Sequence, residues 1–298
     1  MTTPDEPWTT GRLLTWTIDY LGRHGAENPR LDAEVLLADA LGCRRIDLYA
    51  AYGELADEET RSKFRELVRR RAAGTPVAYL VGRREFYALE FEVTPDVLIP
   101  RPETELLVVA LLDHVKRRPA DDAVIEIADV GTGSGVLAVC AAKYVPHSRV
   151  TAIDISPAAL VVARRNAQRH GVAERIKLVE GDLFGGLPPN PRFDYIVSNP
   201  PYISTSEMAE LSTDIHEHEP HVALHAGERG VDIAAPLVEQ AASRLKSGGV
   251  LLVEVSPMIA ADVEQLVREQ PNLELLPTLR DLAGHPRVVQ ARHQTPPR

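Results

Sequence analysis

The chain has 298 residues, enough for one large domain and a smaller one, and its 44% apolar and 26% charged content is that of an ordinary globular protein. A formal net charge of −10 weighs weakly against a protein that grips a nucleic-acid backbone, since each phosphate contact needs a positive partner and a local basic patch is still compatible with the total. The opening MTTPDEPWTT carries acids where a signal peptide carries lysines, and no apolar run has membrane-spanning length, so a cytoplasmic protein without membrane contact is expected.

Thr9 and Thr10 read as caps of a helix that runs to His24 and stops at Gly25. In LDAEVLLADALG, the residues Leu31, Val35, Leu36, Ala38 and Leu41 recur at helical spacing, and Gly42 ends the run. A third helix is predicted from Asp57 to Ala73, its RRR end placed where cations complement the dipole. Together these predict a helical domain over residues 1–82. Cys43 and Cys140 match no zinc or redox spacing and read as buried apolar residues.

The period then changes. In REFYALEFEVTPDVLIP, Phe86, Leu89, Phe91 and Val93 alternate with polar neighbours, which predicts a β-hairpin linker over 83–100. PRPETE opens a helix, with Pro102 suited to a first helical position and Glu103 and Glu105 to its positive end. From Ala123 onward short apolar runs alternate with helical stretches. That pattern predicts an α/β domain over 101–293 with a doubly wound, mostly parallel, seven-stranded sheet. The strands are expected at 124–130, 149–153, 176–180, 194–198, 249–255, 273–277 and 287–291, and a disordered tail at 294–298.

ADVGTGSGVLAVCAA sets Gly131, Gly133 and Gly135 between a strand and a helix, where glycines let a ligand approach the backbone. Dinucleotide sites usually space their glycines G-x-G-x-x-G, but here the third falls one residue early and Val136 takes its place. The spacing G-x-G-x-G after Asp129 resembles the S-adenosylmethionine loop of class I methyltransferases. Asp154 closes the next strand, where an acid can accept both hydroxyls of a ribose in either cofactor class. Asp182 follows the third strand, where the methyltransferase family contacts adenine.

The run FDYIVSNPPYIS ends a buried strand on Asn199, Pro200, Pro201 and Tyr202. This corner suits methyl transfer to a planar, poorly nucleophilic amide or ring amine, for which in-line positioning is worth up to roughly 7–11 kcal/mol. The Asn199 oxygen can accept one N–H of the target amine and the Pro200 carbonyl the other, while the prolines hold these acceptors at fixed φ. Tyr202 offers a face for stacking. The corner by itself leaves adenine, cytosine, guanine and glutamine open as substrates.

RLDAEVLLADALG, RRRAAGTPVAYLVGRREFYALEFEVTPDVLIPRPETELLV, DVGTGSG, SNPPYI and DLAGHPRVV, in this order, resemble the bacterial peptide chain release factor glutamine methyltransferase family. The resemblance runs from about Thr10 to Arg292. It implies N5-methylation of the glutamine in the Gly-Gly-Gln loop of release factors, S-adenosylmethionine as cofactor, and an N-terminal helical domain that helps dock the protein substrate. By position, it implies cofactor contacts from Asp129, Gly131, Thr132, Gly133, Ser134, Gly135, Asp154, Ile155, Asp182, Leu183, Phe184 and Asn199. Asn199, Pro200, Pro201 and Tyr202 would hold the glutamine. Arg101 and Glu103 would border the pocket, or serve only as helix start and hinge. VEVSP departs from the family where a glycine is expected, and Pro257 restricts Ser256 there.

Two other substrates compete: a glutamine on a ribosomal protein, or adenine N6 in nucleic acid. The second needs a basic recognition domain, and residues 1–85 hold 13 Lys and Arg against 14 Asp and Glu. DIHEHEPHVALH, with His216, His218, His221 and His225, has the look of a metal site but not the i, i+4 spacing of zinc hydrolases. It is expected to be a surface loop near the substrate entrance, with no metal, in a monomer.

Overall fold

The computed structural model describes residues 7–118, 123–189, 192–211 and 213–294; of the expected tail, residues 295–298 lie outside these. The chain divides into two compact units, Met1–Gly82 with Thr213–His218, and Arg83–Ser212 with Glu219–Arg298.

In the first unit, helix Thr10–Arg23 starts at Thr9, whose side chain accepts from the Arg12 N–H. Helix Pro29–Leu41 ends on Gly42 in the left-handed region, and helix Glu58–Ala72 starts at Asp57, which accepts from the Thr60 N–H at 2.7 Å. Asp47–Ala50 and Val77–Val81 form further helices, too short for periodicity to reveal. The core gathers Leu21, Leu36, Leu37, Leu48 and Phe64.

Two expectations change here. Leu31 and Leu41 are exposed, because the second helix turns Ala33, Leu36 and Leu37 inward instead. Arg71 does not merely complement a dipole. It is partly buried, donating to Asp32 at 2.7 Å and to Asp214 at 2.6 Å, so it ties the third long helix to the second and to the segment Thr213–His218. Losing one partner of a fully buried pair typically costs about 3–5 kcal/mol, an upper bound for this partly exposed one. Cys43 is only partly buried, whereas Cys140 is fully so.

The second unit opens with the hairpin β1 (Arg83–Phe86) and β2 (Leu89–Glu92), which packs into this unit's own core through Phe86 and Phe91. The Asn166 side chain pins it by accepting from the Glu92 N–H at 2.8 Å and donating to the Glu92 carbonyl at 3.0 Å. The sheet follows: β3 (Ile125–Val130), β4 (Ser148–Asp154), β5 (Ile176–Glu180), β6 (Phe193–Ser198), β7 (Leu245–Glu254), β8 (Leu273–Arg280) and β9 (Pro286–His293). Their spatial order is β5-β4-β3-β6-β7-β9-β8, with β3 to β7 parallel and β9 antiparallel to both neighbours.

The central strands read as unbroken apolar runs because both faces are covered. Val197 and Leu252 face one layer of the core, while their neighbours Ile196 and Leu251 face the other. The chain winds outward from β3 through β4 to β5, then returns to β6 on the opposite side. The strand order therefore reverses between β3 and β6, which is where open α/β sheets bind ligands.

Candidate active site

Register brings the two sequence motifs together. Val130 pairs with Ser198 and Val253 also pairs with Ser198, so the glycine loop, the Asn-Pro-Pro-Tyr corner and Glu254 leave three adjacent strands side by side. The Ser198 hydroxyl donates to the Val130 carbonyl at 2.7 Å and locks this junction.

The loop is held from below by Asp129, which is fully buried. Its Oδ2 accepts from the Thr132 hydroxyl at 2.6 Å and from the Ala138 N–H at 3.0 Å. Gly131 and Thr132 both donate to the Ile153 carbonyl at 2.9 Å, and Gly133 donates to Asp154 Oδ2 at 2.8 Å. Gly135 caps the next helix at φ 83, and a Cβ there would lie 3.1 Å from that of Ala163. Only glycine meets both demands. Asp154 Oδ1 accepts from the Ser156 N–H at 2.9 Å, so each carboxylate oxygen carries one backbone bond and keeps lone pairs free.

At the corner, Asn199 Nδ2 donates to Thr104 Oγ1 at 3.2 Å. Ile203 and Ala226 fasten the outgoing chain through bonds to Leu224 and Ile203 at 3.0 and 2.8 Å. Gly230 backs directly on the elbow: a Cβ at that residue would lie 2.8 Å from the Tyr202 carbonyl oxygen. Burial raises the Tyr202 phenol above its ordinary range, with Glu254 adding to the effect.

These elements line one cavity of about 180 Å³. Of the residues expected at the site, Gly131, Thr132, Gly133, Ser134, Asp154, Ile155, Asp182, Leu183, Asn199, Pro200, Pro201 and Arg101 line it. Asp129, Gly135, Phe184, Tyr202 and Glu103 are not among its lining residues. Asp129 lies beneath the loop, and Phe184 is buried in the core against Phe193. Tyr202 packs on the same core. Arg101 is fixed by Glu219, a buried carboxylate it reaches at 2.5 Å and which also accepts from the Ile99 N–H at 3.3 Å. The histidine segment is thus not a plain surface loop: Thr213–His218 is helical, and Glu219 reaches into the site's support.

Sequence reasoning passed over Thr104 and Glu254. Thr104 lines the cavity and accepts from Asn199 Nδ2, and Glu254 is buried at the end of β7. The available signal was positional, since Glu254 ends the strand after the corner strand, at the same sheet edge.

Two family models match the chain: the PrmC N-terminal domain over residues 12–82 and the methyltransferase small domain over 104–219. A release factor glutamine methyltransferase of Rhodopirellula baltica is 48% identical over 288 residues, covering 97% of each chain. The chain belongs to the release factor glutamine methyltransferase family. The family's Geobacter sulfurreducens member is 44% identical, covering 86% of this chain and 87% of its own. A 16S rRNA methyltransferase of T. thermophilus, solved with AdoMet and guanosine, shares the fold at a TM-score of 0.51 and 21% identity, covering 71% of this chain and 50% of that one.

Within this family member, burial pushes two carboxyls, Asp129 and Glu254, up to about 7. Each therefore keeps a proton in the folded chain over a pH range where the unfolded chain has lost it. The resulting stability is complete below the ordinary carboxyl range and is lost as pH rises to about 7. The stability of Glu254→Gln relative to wild type, from denaturant titrations, is expected to rise by up to about 3 kcal/mol between about pH 5 and 8. A pH-independent difference would show that Glu254 is not held neutral by burial.

Proposed function

We propose that the chain methylates the side-chain amide nitrogen (N5) of the glutamine in the Gly-Gly-Gln loop of peptide chain release factors, with S-adenosylmethionine as methyl donor. The observation that carries this reading is the Val130–Ser198 register, which sets the glycine loop beside the Asn199–Tyr202 corner at the topological switch point.

The donor set fits the cofactor. Asp154 has lone pairs for two ribose hydroxyls, and Ile155 and Leu183 give apolar walls for a purine. A side chain at Gly133 would meet no protein atom within 4 Å and would stand in the cavity. When bound, S-adenosylmethionine supplies a methyl group made electrophilic by its sulfonium.

The chain's own work is to hold the amide. A carboxamide nitrogen shares its lone pair with the carbonyl, so it reacts only when the pair is aimed and the growing positive charge is met by acceptors. Asn199 Oδ1 and the Pro200 carbonyl accept its two hydrogens, and Pro200 and Pro201 keep those acceptors set before substrate arrives. Methylation makes the nitrogen acidic enough to release its proton to an ordinary acceptor. The N-terminal helical unit is assigned to docking of the protein substrate, and cytoplasmic translation factors make the cytoplasm its place of action. Among the described residues, no helix is long and apolar enough to cross a membrane.

The test is to incubate the protein with methyl-labelled S-adenosylmethionine and a mixture of release factor, ribosomes and DNA, and to locate the label by mass spectrometry. Label on the Gly-Gly-Gln glutamine is expected. Label confined to a ribosomal protein or to adenine would replace this reading with another.

A further inference from the structure

A cavity of about 180 Å³ admits a side-chain amide but not the protein that carries it, so the rest of a protein substrate has to lie on the rim. The rim carries exposed apolar side chains. Among the described residues, Leu282 and Met258 are the most exposed large apolar ones, at 110% and 75%. Val222 and Ile155, at 54% and 52%, line the cavity itself. Exposed apolar residues scattered singly need no explanation, but these four stand at one end of one sheet.

Register places Leu282 and Met258 there. Ser198 pairs with Val253 and Glu254 with Val288, so the Asn199 corner leaves the sheet at the level where β7 ends beside β9. Since β9 runs antiparallel, Pro286 and its partner Arg280 lie beyond that level, and the turn 281–285 projects past the sheet edge where the cavity opens. Arg287 connects this turn to the cavity border. Its Nε donates to Asp281 Oδ2 at 2.8 Å, and its guanidinium lies 3.8 Å from Glu103, which stands between Arg101 and Thr104 of the cavity lining. Met258 follows the end of β7. Its neighbour Ile259 flanks the corner, because a Cβ at Gly230 would lie 2.8 Å from the Tyr202 carbonyl oxygen and 3.3 Å from Ile259 Cγ2.

The turn is rigid. Asp281 Oδ1 accepts from the Ala283 and His285 N–H groups at 2.9 Å each, the Asp281 N–H donates to the His285 carbonyl at 2.9 Å, and Arg280 donates to the Gly284 carbonyl at 2.7 Å. These bonds fix the backbone on both sides of Leu282 while its side chain stays in water, so little order is lost when a partner covers it. We propose that Leu282 and Met258 dock the protein substrate on the second unit, each seating in an apolar patch of the release factor beside the loop whose glutamine enters the cavity. This rests on the amide-methylating reading above and extends it from the reacting group to the surface around it. Neither residue lines the cavity, so both act on binding of the protein and not on the transfer.

Both side chains project into solvent, so replacing either leaves the fold intact, which circular dichroism checks. In steady-state assays on purified release factor, Leu282→Ser and Met258→Ser are each expected to raise the KM for release factor about tenfold, which corresponds to about 1.4 kcal/mol. Burial of one such side chain is enough to supply that. The kcat and the calorimetric Kd for S-adenosylmethionine should stay unchanged. Leu282→Met should keep the wild-type KM, and the variant carrying both serine substitutions should lose about a hundredfold. A wild-type KM in either single variant overturns the assignment of that residue, and a loss that falls on kcat overturns the docking rim, while the functional reading stands. Sedimentation of the protein alone supplies the remaining check: an assembly of the chain with itself that the double variant dissolves makes the rim a contact between two copies and overturns the proposal. A wild-type protein that leaves release factor unmethylated overturns the functional reading, and the docking of release factor with it.

Discussion

Asn199→Ala is expected to lower the rate of glutamine methylation about 10²–10³-fold, the cost usually seen when one preorganised group facing developing charge is removed. The loss should fall on kcat. Asn199 stands at the cavity wall just past the end of β6, and in the proposed reaction its oxygen would meet the substrate amide most strongly once the nitrogen becomes positive. The fold should survive, because the side chain gives up a single bond, to Thr104, while the elbow stays fastened by the Ser198–Val130 bond and by Gly230 beneath Tyr202. Single-turnover kinetics on purified release factor, with circular dichroism as the folding control, measure both. Wild-type turnover in this variant would remove the corner from the chemistry.

Asp154→Ala is expected to weaken S-adenosylmethionine binding roughly 100-fold or more by calorimetry. Two hydrogen bonds from ribose hydroxyls to a charged acceptor are lost, each worth about 1.5–3 kcal/mol, and tenfold in affinity corresponds to about 1.4 kcal/mol. The variant also strips the Gly133 N–H of its acceptor, so the loop that approaches the ligand loosens at the same time. Thermal stability should move little. Burial raises Asp154 above the ordinary carboxylate range, with the Ser156 and Gly133 N–H groups opposing that shift, so removing a poorly solvated charge offsets the bonds it accepted. Unchanged affinity would refute the ribose assignment.

Much of the site could be read in the chain because its parts are local. A glycine loop, an acid closing a strand and a proline elbow are each written in a few consecutive residues, and backbone geometry alone dictates their composition. Phe184 and Tyr202 show where that reading stops. Both stand beside site residues in sequence, yet neither is in the cavity lining, because a large apolar ring next to a core is drawn into it. Leu31 and Leu41 err the other way, grouped with the apolar stripe by periodicity but exposed in the structure, where Ala33, Leu36 and Leu37 of the same helix fill the core.

The sequence by itself pointed to a helical part and an α/β part, to the strands of the sheet and to the two motifs that line the cavity, since hydrophobic period and turn chemistry act over short stretches. Only the tertiary structure decided that Asn199 bonds to Thr104 and leaves the sheet beside Glu254. Those residues are separated by 95 and 55 positions in the chain, and no local rule joins them. Strand order and register do, because neighbouring parallel strands end at one edge of the sheet whatever the distance between them along the chain.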